Sequence, residues 1–415
     1  MHLLPDAPGT RSGMQTQPGA DAGQPTIDRR STASAGLVGR LGAALAALRW
    51  PLTIYAATRV LYLLIALIDT VWHQTPLAAE ASNWDGAWYI ALTVLGYPGH
   101  ALHIQSTLGF LPLYPLTIWV VGQVLSSSYA FAGLVISLVG GAVATVLIQR
   151  LATLWWGDQA GRRAVLFFCL FPGSIVFSMV YSEGLLLPLI AGCLIALERK
   201  RWLLAGCLAG VATAVGPTAL PIIPACAVAA GLELRRAGWH DREARKALLA
   251  PALAPAGLVA FALFLWFWTG TPFASYIAQH HGWSERTTLA AIPHIASHLG
   301  HEIARFHTFR HPGINLNYVS GVIGTVFLLW AWSLIVRVKP RISAAAITWT
   351  LFLTFEIFTS SMVPPNPRML ITAFPALMVV AYHLRGKAFN RLLGVSTVLL
   401  VAMSLVTYVG TALRP

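Results

Sequence analysis

Asp85 lies in an aromatic-rich segment in which a carboxylate could act as a general base. It follows Trp84, precedes Tyr89, and is the only acid between Glu80 and Asp158. A carboxylate among aromatic rings near a membrane interface can accept a proton from a reacting hydroxyl. An alternative interpretation is a helix N-cap, because Asp accepts backbone N–H bonds there and Trp and Tyr are common at interfaces. The spacing alone leaves both interpretations open.

Glu183 is a second acid in an unusual position. It lies between two apolar stretches and has no basic neighbour in the sequence. Ionisable groups at membrane depth are costly and are functional candidates by default, although a solvated turn is the simpler explanation. Glu356, about one turn inside a predicted span, raises the same question more weakly.

Arg368 is the cation best placed to meet an anion. It follows a proline-rich break that includes Asn366 and Pro367. A planar guanidinium at the interface suits a phosphate group through paired hydrogen bonds. It could instead reach lipid headgroups without any catalytic role.

Tyr114 stands between Pro112 and Pro115 in an apolar segment that begins at Phe110. The two prolines predict a bent backbone that is not fully helical. At membrane depth such a backbone is tolerated where it lines a cavity or is covered by protein. A simple helix kink is the alternative.

Histidines are concentrated in one loop, where a metal site has to be considered. The spacing of His294, His298 and His301 places three imidazoles on one helical face, which could bind zinc. No HExxH motif accompanies them, so solvated loop histidines are the favoured interpretation and no metal is predicted. The loop contains His280, His281, His294, His298, His301, His307 and His311.

The elements that position these residues are membrane-spanning helices. The 415 residues are 56% hydrophobic and only 10% charged, with a mean hydropathy of +0.66. Soluble globular domains do not have this composition. Because hydrocarbon requires each backbone amide to be paired within its own helix, repeated apolar runs predict an all-α polytopic membrane protein.

About eleven transmembrane helices are predicted. Several are only about 14 to 17 residues long, which barely crosses a hydrocarbon layer of about 30 Å. The predicted spans are 51–71, 129–149, 164–180, 182–197, 202–215, 217–232, 247–268, 318–336, 342–360, 369–384 and 392–412.

The basic residues predict the orientation of these spans. Lys and Arg accumulate on the cytosolic side of a membrane. Five loops are rich in Lys and Arg, whereas the opposite loops contain only Arg286, Arg305, Arg310 and Arg368. The formal net charge of +13 therefore indicates membrane topology and not a nucleic-acid partner. The N-terminus is expected inside, with loops 72–128 and 269–317 outside.

The same asymmetry bears on segment 109–126, which is apolar enough to span. If it crossed, the basic loop from Arg150 to Arg163 would fall outside. We therefore expect a re-entrant or juxtamembrane helix on the outer side.

The chain is expected to comprise a tail, 1–48, and a transmembrane domain, 49–415. The tail is rich in Pro, Gly, Ser and Thr and is predicted to be disordered and cytosolic. It lacks the order of regions found in a secretory signal, so the first span is expected to remain as an anchor. The four cysteines all lie within apolar runs, and no disulfide is inferred from them.

Several of these motifs together resemble the bacterial PIG-V-like mannosyltransferases, which are related to the second GPI mannosyltransferase and belong to the GT-C class. The resemblance runs in order over roughly residues 50–385. Its motifs are Trp84-Asp85-Gly86 with Trp88-Tyr89 and Gly96-Tyr97; Phe110 to Pro115; Phe171-Pro172-Gly173-Ser174 with Tyr181-Ser182-Glu183; Gln279 with Trp283 and Arg286; and Pro367-Arg368 with Phe374-Pro375.

The resemblance implies a GT-C-like fold and a metal-independent, inverting transfer of mannose from a polyprenyl-phosphate donor to a lipid or glycan. No cofactor is implied. Asp85 matches the family's general base, Glu183 falls in the substrate cavity, and Arg368 lies near the donor phosphate. The implied substrate-binding residues are Trp84, Tyr89, Tyr114, Tyr181, Gln279, Trp283, Arg286 and Arg368. The expected location is the plasma membrane of a bacterium, with the site on the outer face. The expected role is in the synthesis of the cell envelope.

Two alternatives remain open at the level of sequence. A transporter or flippase for a lipid-linked substrate would also use broken helices and buried ionisable groups. No inverted repeat is visible, however, and the polar groups concentrate on one predicted side. A catalytically inactive relative is the second alternative, because Gly216 stands where the family usually has an Arg.

Overall fold

The computed structural model describes residues 29–74, 77–306, 315–338 and 341–408. Two units are distinguished, 1–47 and 48–415. From the first unit only the helical backbone of 29–47 is described. The predicted tail therefore lies largely outside the described residues and stays a prediction. His307 and His311 also lie outside them.

The described ranges fold into helices and turns, with one isolated antiparallel bridge between Thr287 and Ser360. The all-α prediction is confirmed. The longer helices are α1 (Arg29–His73), α2 (Asp85–Leu95), α3 (Leu113–Leu125), α4 (Tyr129–Trp156), α5 (Asp158–Leu170), α6 (Glu183–Glu198), α7 (Trp202–Ala212), α8 (Ile222–Ala237), α9 (Ala256–Thr269), α10 (Ala291–Phe306), α11 (Leu316–Val338), α12 (Ala344–Thr359), α13 (Pro367–Thr372), α14 (Phe374–His383) and α15 (Gly386–Tyr408).

Shorter elements join these helices. One-turn α-helices are Leu77–Glu80, Arg242–Arg245, Leu249–Leu253 and Ala274–Ile277. The 3₁₀ segments are Thr107–Gly109, Pro172–Ser178, Pro217–Ala219 and Lys246–Leu248, and Ala278–Gly282 is a π-helical turn.

Six helical segments of the described chain are long and apolar enough to cross a membrane, and a bent pair would make a seventh. The chain is therefore a multi-pass membrane protein. The six are Ala46–Trp72, Tyr129–Trp156, Pro217–Ala237, Arg242–Thr269, Leu316–Arg337 and Gly386–Tyr408. Helices α3, α7, α12 and α14 are apolar but shorter, so the count of eleven stays a prediction.

The predicted span 164–180 is wrong as a single helix. Helix α5 ends at Leu170 and the 3₁₀ segment Pro172–Ser178 continues at an angle of 73° to it. Pro172 lacks an N–H, and a proline disfavours helical geometry in the preceding residue, so Phe171 is extended with ψ of 137°. The turn that follows this segment contains Tyr181 and Glu183.

Helix α4 packs against both α5 and α6 at the centre of the buried core. Its contact with α6 depends on small residues. A Cβ atom on Gly140 would collide with the backbone of Gly184, and one on Gly184 would collide with the backbone of Ser137. Small residues allow helix backbones to approach closely in membranes. This close contact positions the first turn of α6, where Glu183 lies.

Segment 109–126 contains the end of a 3₁₀ turn followed by α3. At 1.5 Å per residue, the 13 residues of α3 extend only about 20 Å, short of the ~30 Å hydrocarbon layer. The helix ends at Leu125, with Ser126 as its C-cap, and a Cβ on Gly122 would stand 2.7 Å from the Tyr129 ring. The short hairpin with α4 is compatible with a re-entrant or juxtamembrane helix, which stays a prediction.

Candidate functional site

Arg368 forms ion pairs with both of the acids singled out in the sequence. Its Nη1 donates to Oδ2 of Asp85 at 2.6 Å, and its Nε donates to Oε1 of Glu183 at 2.5 Å. The guanidinium carbon also lies 4.5 Å from the centre of the Tyr181 ring. One cation therefore holds two carboxylates and one aromatic face together.

The two carboxylates differ in their access to solvent. The side chain of Asp85 is 30% exposed, whereas that of Glu183 is 2% exposed. Oε2 of Glu183 is buried and has no hydrogen-bond partner among the described residues. Asp85 is thus accessible to a substrate, whereas Glu183 contacts Arg368 from the buried side.

Burial would by itself lower the pKa of Arg368, but the carboxylates of Asp85 and Glu183 outweigh it and raise that pKa well above its ordinary value. The pKa of the Tyr181 phenol is also raised well above its ordinary value, chiefly by burial. Arg368 therefore stays charged and Tyr181 stays neutral. Tyr181 contributes a ring face and not a titrating proton.

Asp85 is the first residue of α2 and not its N-cap, which is Trp84. Trp84 has φ of 61°, in the left-handed region that costs a non-glycine residue about 1–3 kcal/mol. Gly86 lies against Val180, and the Val180 N–H donates to the carbonyl of Ala81 at 2.7 Å. The start of α2 is thereby fixed on the chain that leads to Tyr181.

Arg368 lies in the first turn of α13. Asn366 is the N-cap of this helix, and its side-chain oxygen accepts from the Met369 N–H at 2.9 Å. Pro367 occupies the first helical position, where its missing N–H is harmless. A Cβ on Gly173 would collide with the Pro367 carbonyl, so this turn rests directly on the 3₁₀ segment Pro172–Ser178.

The ion-pair cluster opens into a cavity of about 600 Å³. This volume is in the range of pockets for small molecules. One wall is aromatic: the rings of Trp88 and Trp283 meet edge to face at 4.9 Å, and Trp88 also stacks on Phe110 at 6.1 Å. The lining residues are Trp84, Asp85, Trp88, Gln105, Phe110, Tyr181, Gln279, Trp283, Glu285, Ile295, Asn315, Asn317, Tyr318, Ser361, Met362, Val363, Pro364, Asn366 and Arg368.

Gln279 and Trp283 meet the backbone of Gly109. The Gln279 amide donates to the Gly109 carbonyl at 2.7 Å. A Cβ on Gly109 would stand 2.9 Å from Trp283 Nε1, so only glycine fits there without a shift. The buried indole N–H of Trp283 has no acceptor within the described ranges. It is a donor available to a ligand.

Tyr89 and Tyr114 lie beneath the cavity and do not line it. The Tyr89 hydroxyl donates to Ser182 Oγ at 2.9 Å, and its ring meets that of Tyr114 at 4.8 Å. Tyr114 is fully buried, with its hydroxyl 3.1 Å from Ser137 Oγ. Both support the turn before Glu183, and their predicted contact with a substrate stays a prediction.

Arg286 is exposed and does not line the cavity. Its backbone instead joins two loops: its N–H donates to Ser361 Oγ at 2.8 Å, and its carbonyl accepts from the Ser361 N–H at 3.0 Å. Glu285 strengthens the junction by accepting from Ser360 Oγ at 2.9 Å and from the Ser361 N–H at 3.1 Å.

Two of the three histidines whose spacing would suit zinc make aromatic ring contacts. The imidazoles of His294 and His298 are 4.4 Å apart, and His298 stacks on Tyr318 at 5.5 Å. Across the described part of the chain, no three or more His, Cys, Asp or Glu side chains are grouped so that they could hold a metal ion.

The structure therefore joins Asp85, Glu183, Tyr181 and Arg368 and places Trp84, Gln279 and Trp283 around the same cavity. Sequence reasoning missed Arg59 of α1, which is buried within a predicted span. An arginine in the middle of an apolar run was the available signal. It also assigned no role to the cavity-lining residues Asn315, Asn317 and Ser361, whose polar loop sequences carry no distinguishing pattern.

Comparisons with known proteins give distant likenesses. No family model matches the chain, and no curated protein sequence matches it. ArnT from Cupriavidus metallidurans in the apo state is 15% identical, with a TM-score of 0.49, over 80% of this chain and 61% of that one. ArnT from the same organism bound to undecaprenyl phosphate is 14% identical, with a TM-score of 0.43 and the same coverage, 80% and 61%.

The oligosaccharyltransferase of Archaeoglobus fulgidus in the apo form is 12% identical, with a TM-score of 0.45, over 85% of this chain and 56% of that one. This chain thus spans less than two thirds of the length of either protein.

Proposed function

We propose that this protein is a glycosyltransferase of the GT-C class that transfers a sugar from a polyprenyl-phosphate donor to a lipid or glycan acceptor. The observation that carries the proposal is the position of Arg368, paired with Asp85 at the edge of an aromatic-lined cavity. A carboxylate and a phosphate-binding guanidinium side by side supply the two charges that such a transfer needs.

In the proposed reaction, Asp85 accepts the proton of the acceptor hydroxyl while the hydroxyl oxygen forms a bond to the anomeric carbon. The bond between that carbon and the phosphate oxygen breaks, and polyprenyl phosphate leaves with the electron pair. Arg368 stabilises the negative charge that grows on this phosphate. Attack on the side opposite the leaving group inverts the anomeric configuration.

The ion pair bears on the order of these events. Oδ2 of Asp85 accepts a bond from Nη1 of Arg368, so this oxygen is not free to receive the hydroxyl proton until the bond opens. The donor phosphate competes for Nη1 of Arg368 and releases Asp85, while Nε stays bonded to Glu183. Glu183 does not line the cavity, so its role is to orient Arg368.

The aromatic wall favours a sugar as the bound group. Trp88, Phe110 and Trp283 offer apolar faces, and the Trp283 N–H and the Gln279 amide offer hydrogen bonds nearby. Pockets that combine a mostly apolar lining with a few placed polar groups fix the orientation of a small ligand. The choice of mannose rests on the family resemblance of the motifs.

We also propose that the site faces outward from the plasma membrane of a bacterium, with the N-terminus in the cytosol. Support comes from the basic residues, which concentrate in the loops predicted to lie on the side opposite Asp85. The polyprenyl chain of the donor and the acceptor lipid would then approach from the bilayer.

The test is transfer by the purified protein. Detergent-purified wild-type protein is incubated with radiolabelled polyprenyl-phosphate-mannose and a cell-wall lipid extract, and any labelled product is identified. We expect a product whose anomeric configuration is inverted relative to the donor. If no polyprenyl-phosphate-hexose is consumed but a labelled lipid crosses proteoliposomes containing the protein, the chain is a transporter and the proposal is wrong.

A further inference from the structure

Arg59 is a buried cation that the proposed reaction has not yet used. It lies in the middle of the apolar segment Ala46–Trp72 and is 8% exposed. Within the described ranges it forms no ion pair with a carboxylate. Charged side chains inside a membrane are costly and are retained where they have a function.

The guanidinium of Arg59 bonds to Ser174 and to Ser178, the third and the last residues of the 3₁₀ segment Pro172–Ser178. Nη1 donates to the Ser174 carbonyl at 2.7 Å and to Ser178 Oγ at 3.0 Å, and Nη2 donates to Ser174 Oγ at 3.2 Å. Tyr62 supports the charge with its ring face, 4.4 Å from the guanidinium carbon. A guanidinium presents its donors in a fixed planar fork, whereas the ammonium of a lysine is a compact point charge with rotatable donors.

The same 3₁₀ segment also contacts the turn that contains Arg368. Gly173 lies against the Pro367 carbonyl and the Arg368 N–H. The chain then runs from Ser178 to Tyr181, whose ring lies under the Arg368 guanidinium, and to Glu183, which pairs with it. One of the contacts that place Arg368 is therefore made by this segment, and two more are made by residues that follow within five positions of its end.

We propose that Arg59 is a positioning residue for the transfer reaction: it ties Ser174 to Ser178 within this segment and thereby sets the position of Arg368 against Asp85. The inference rests on the proposed function for its catalytic consequence. Its structural part, that Arg59 holds this segment in place, does not.

The first test measures the segment itself. Backbone amide exchange is compared in the wild type and in Arg59→Gln, which keeps a polar side chain but loses the charge and the fork. Faster exchange confined to 172–183 and 367–370 is expected, since local opening follows the loss of local contacts. Unchanged exchange in both stretches would overturn the proposal, whether or not the protein transfers sugar.

The second test measures catalysis at a temperature well below unfolding. In Arg59→Gln and Arg59→Lys, kcat per folded molecule should fall by about 10- to 100-fold, because a displacement of about 1 Å at a reacting group costs that much. Ser178→Ala, which removes one of the bonds, should lose less. It also serves if the Arg59 variants do not fold. Wild-type kcat in all three variants would contradict the proposal.

Two controls separate positioning from general stability. Trp155→Phe removes the bond from Trp155 Nε1 to Glu198 Oε1, which is outside the site, and should lower the Tm without changing kcat. Arg59→Gln is also made in an Arg368→Lys background. If Arg59 acts through Arg368, Arg59→Gln should lower kcat little further in the Arg368→Lys background. If the two fold-decreases in kcat instead multiply in the double variant, the effects are independent and the proposal is contradicted. An inactive wild type would count against the proposed function alone.

Discussion

Nε of Arg368 lies 2.5 Å from Oε1 of Glu183, although 185 residues separate them in the chain. Glu183 is 2% exposed, so its charge is compensated by Arg368 and not by water. A buried carboxylate that loses its partner is strongly destabilising. The same pair therefore both stabilises the position of α13 and orients the Arg368 guanidinium toward the cavity.

We predict that Asp85→Asn abolishes transfer and leaves folding intact. An amide is nearly isosteric with the carboxylate and still accepts a bond from Arg368, but it does not accept the acceptor's proton. Loss of a general base commonly lowers the rate by about 10²- to 10⁴-fold. The measurement is the transfer rate of purified variants with matched thermal unfolding profiles. Wild-type activity in Asp85→Asn would remove Asp85 from the mechanism.

We predict that Glu183→Gln lowers kcat and raises the KM for the donor, yet leaves the dependence of kcat on pH as in the wild type. An amide oxygen can still accept from Nε of Arg368, but without the charge that holds it. The measurement is a pH–rate profile of both proteins. If Glu183→Gln eliminates transfer while Asp85→Asn stays active, Glu183 is the base and the two roles are reversed.

We predict that Arg368→Ala weakens donor use more than acceptor use and also destabilises the protein by about 3–5 kcal/mol, because Glu183 is left buried and unpaired. The double variant Arg368→Ala, Glu183→Gln should recover part of this stability while remaining inactive. Denaturant unfolding and donor binding by the four proteins of this cycle provide the measurement. If the losses of stability in the two single variants simply add in the double variant, the pair is not coupled.

We predict that Gly109→Ala impairs transfer by displacing Trp283 and Gln279, whose side-chain nitrogens lie 2.9 Å and 3.2 Å from the position of the new Cβ. Gly99→Ala is the matched control, because a Cβ there meets no atom within 4 Å. Steady-state rates at varied acceptor concentration test the difference. Equal rates in the two variants would mean that the aromatic wall does not contact the substrates.

We predict that the loop before Asp85 faces outward, since no Lys or Arg lies between Val60 and Gln149. A cysteine at Ser82 should react with a membrane-impermeant thiol reagent on intact cells. Reporter fusions at Ser127 and Gly157 should report opposite sides, because α4 separates them. Labelling of the Ser82 cysteine only after lysis would reverse the proposed orientation.

The sequence by itself determined the class of the molecule and the residue types of its site. Long apolar runs require helices in a membrane, and this requirement depends only on local composition. Asp85, Glu183 and Arg368 could be singled out because a charged residue beside an apolar run is recognisable from the sequence, whatever the fold. Apolar runs also predicted the positions of the long helices, but they did not predict the break after Leu170, where Pro172 interrupts an otherwise apolar run.

Only the tertiary structure decided which of these residues meet. Asp85 and Arg368 are 283 residues apart, and an apolar helix packs equally well by composition against many neighbours. The pairing is set by close backbone contacts, such as Gly173 against Pro367 and Gly184 against Ser137, and by Arg59, whose partners lie more than a hundred residues away. These contacts depend on shape and distance between remote segments. Neither hydropathy nor motif spacing encodes them, which is why Tyr114 and Arg286 matched the family's pattern and yet lie outside the cavity.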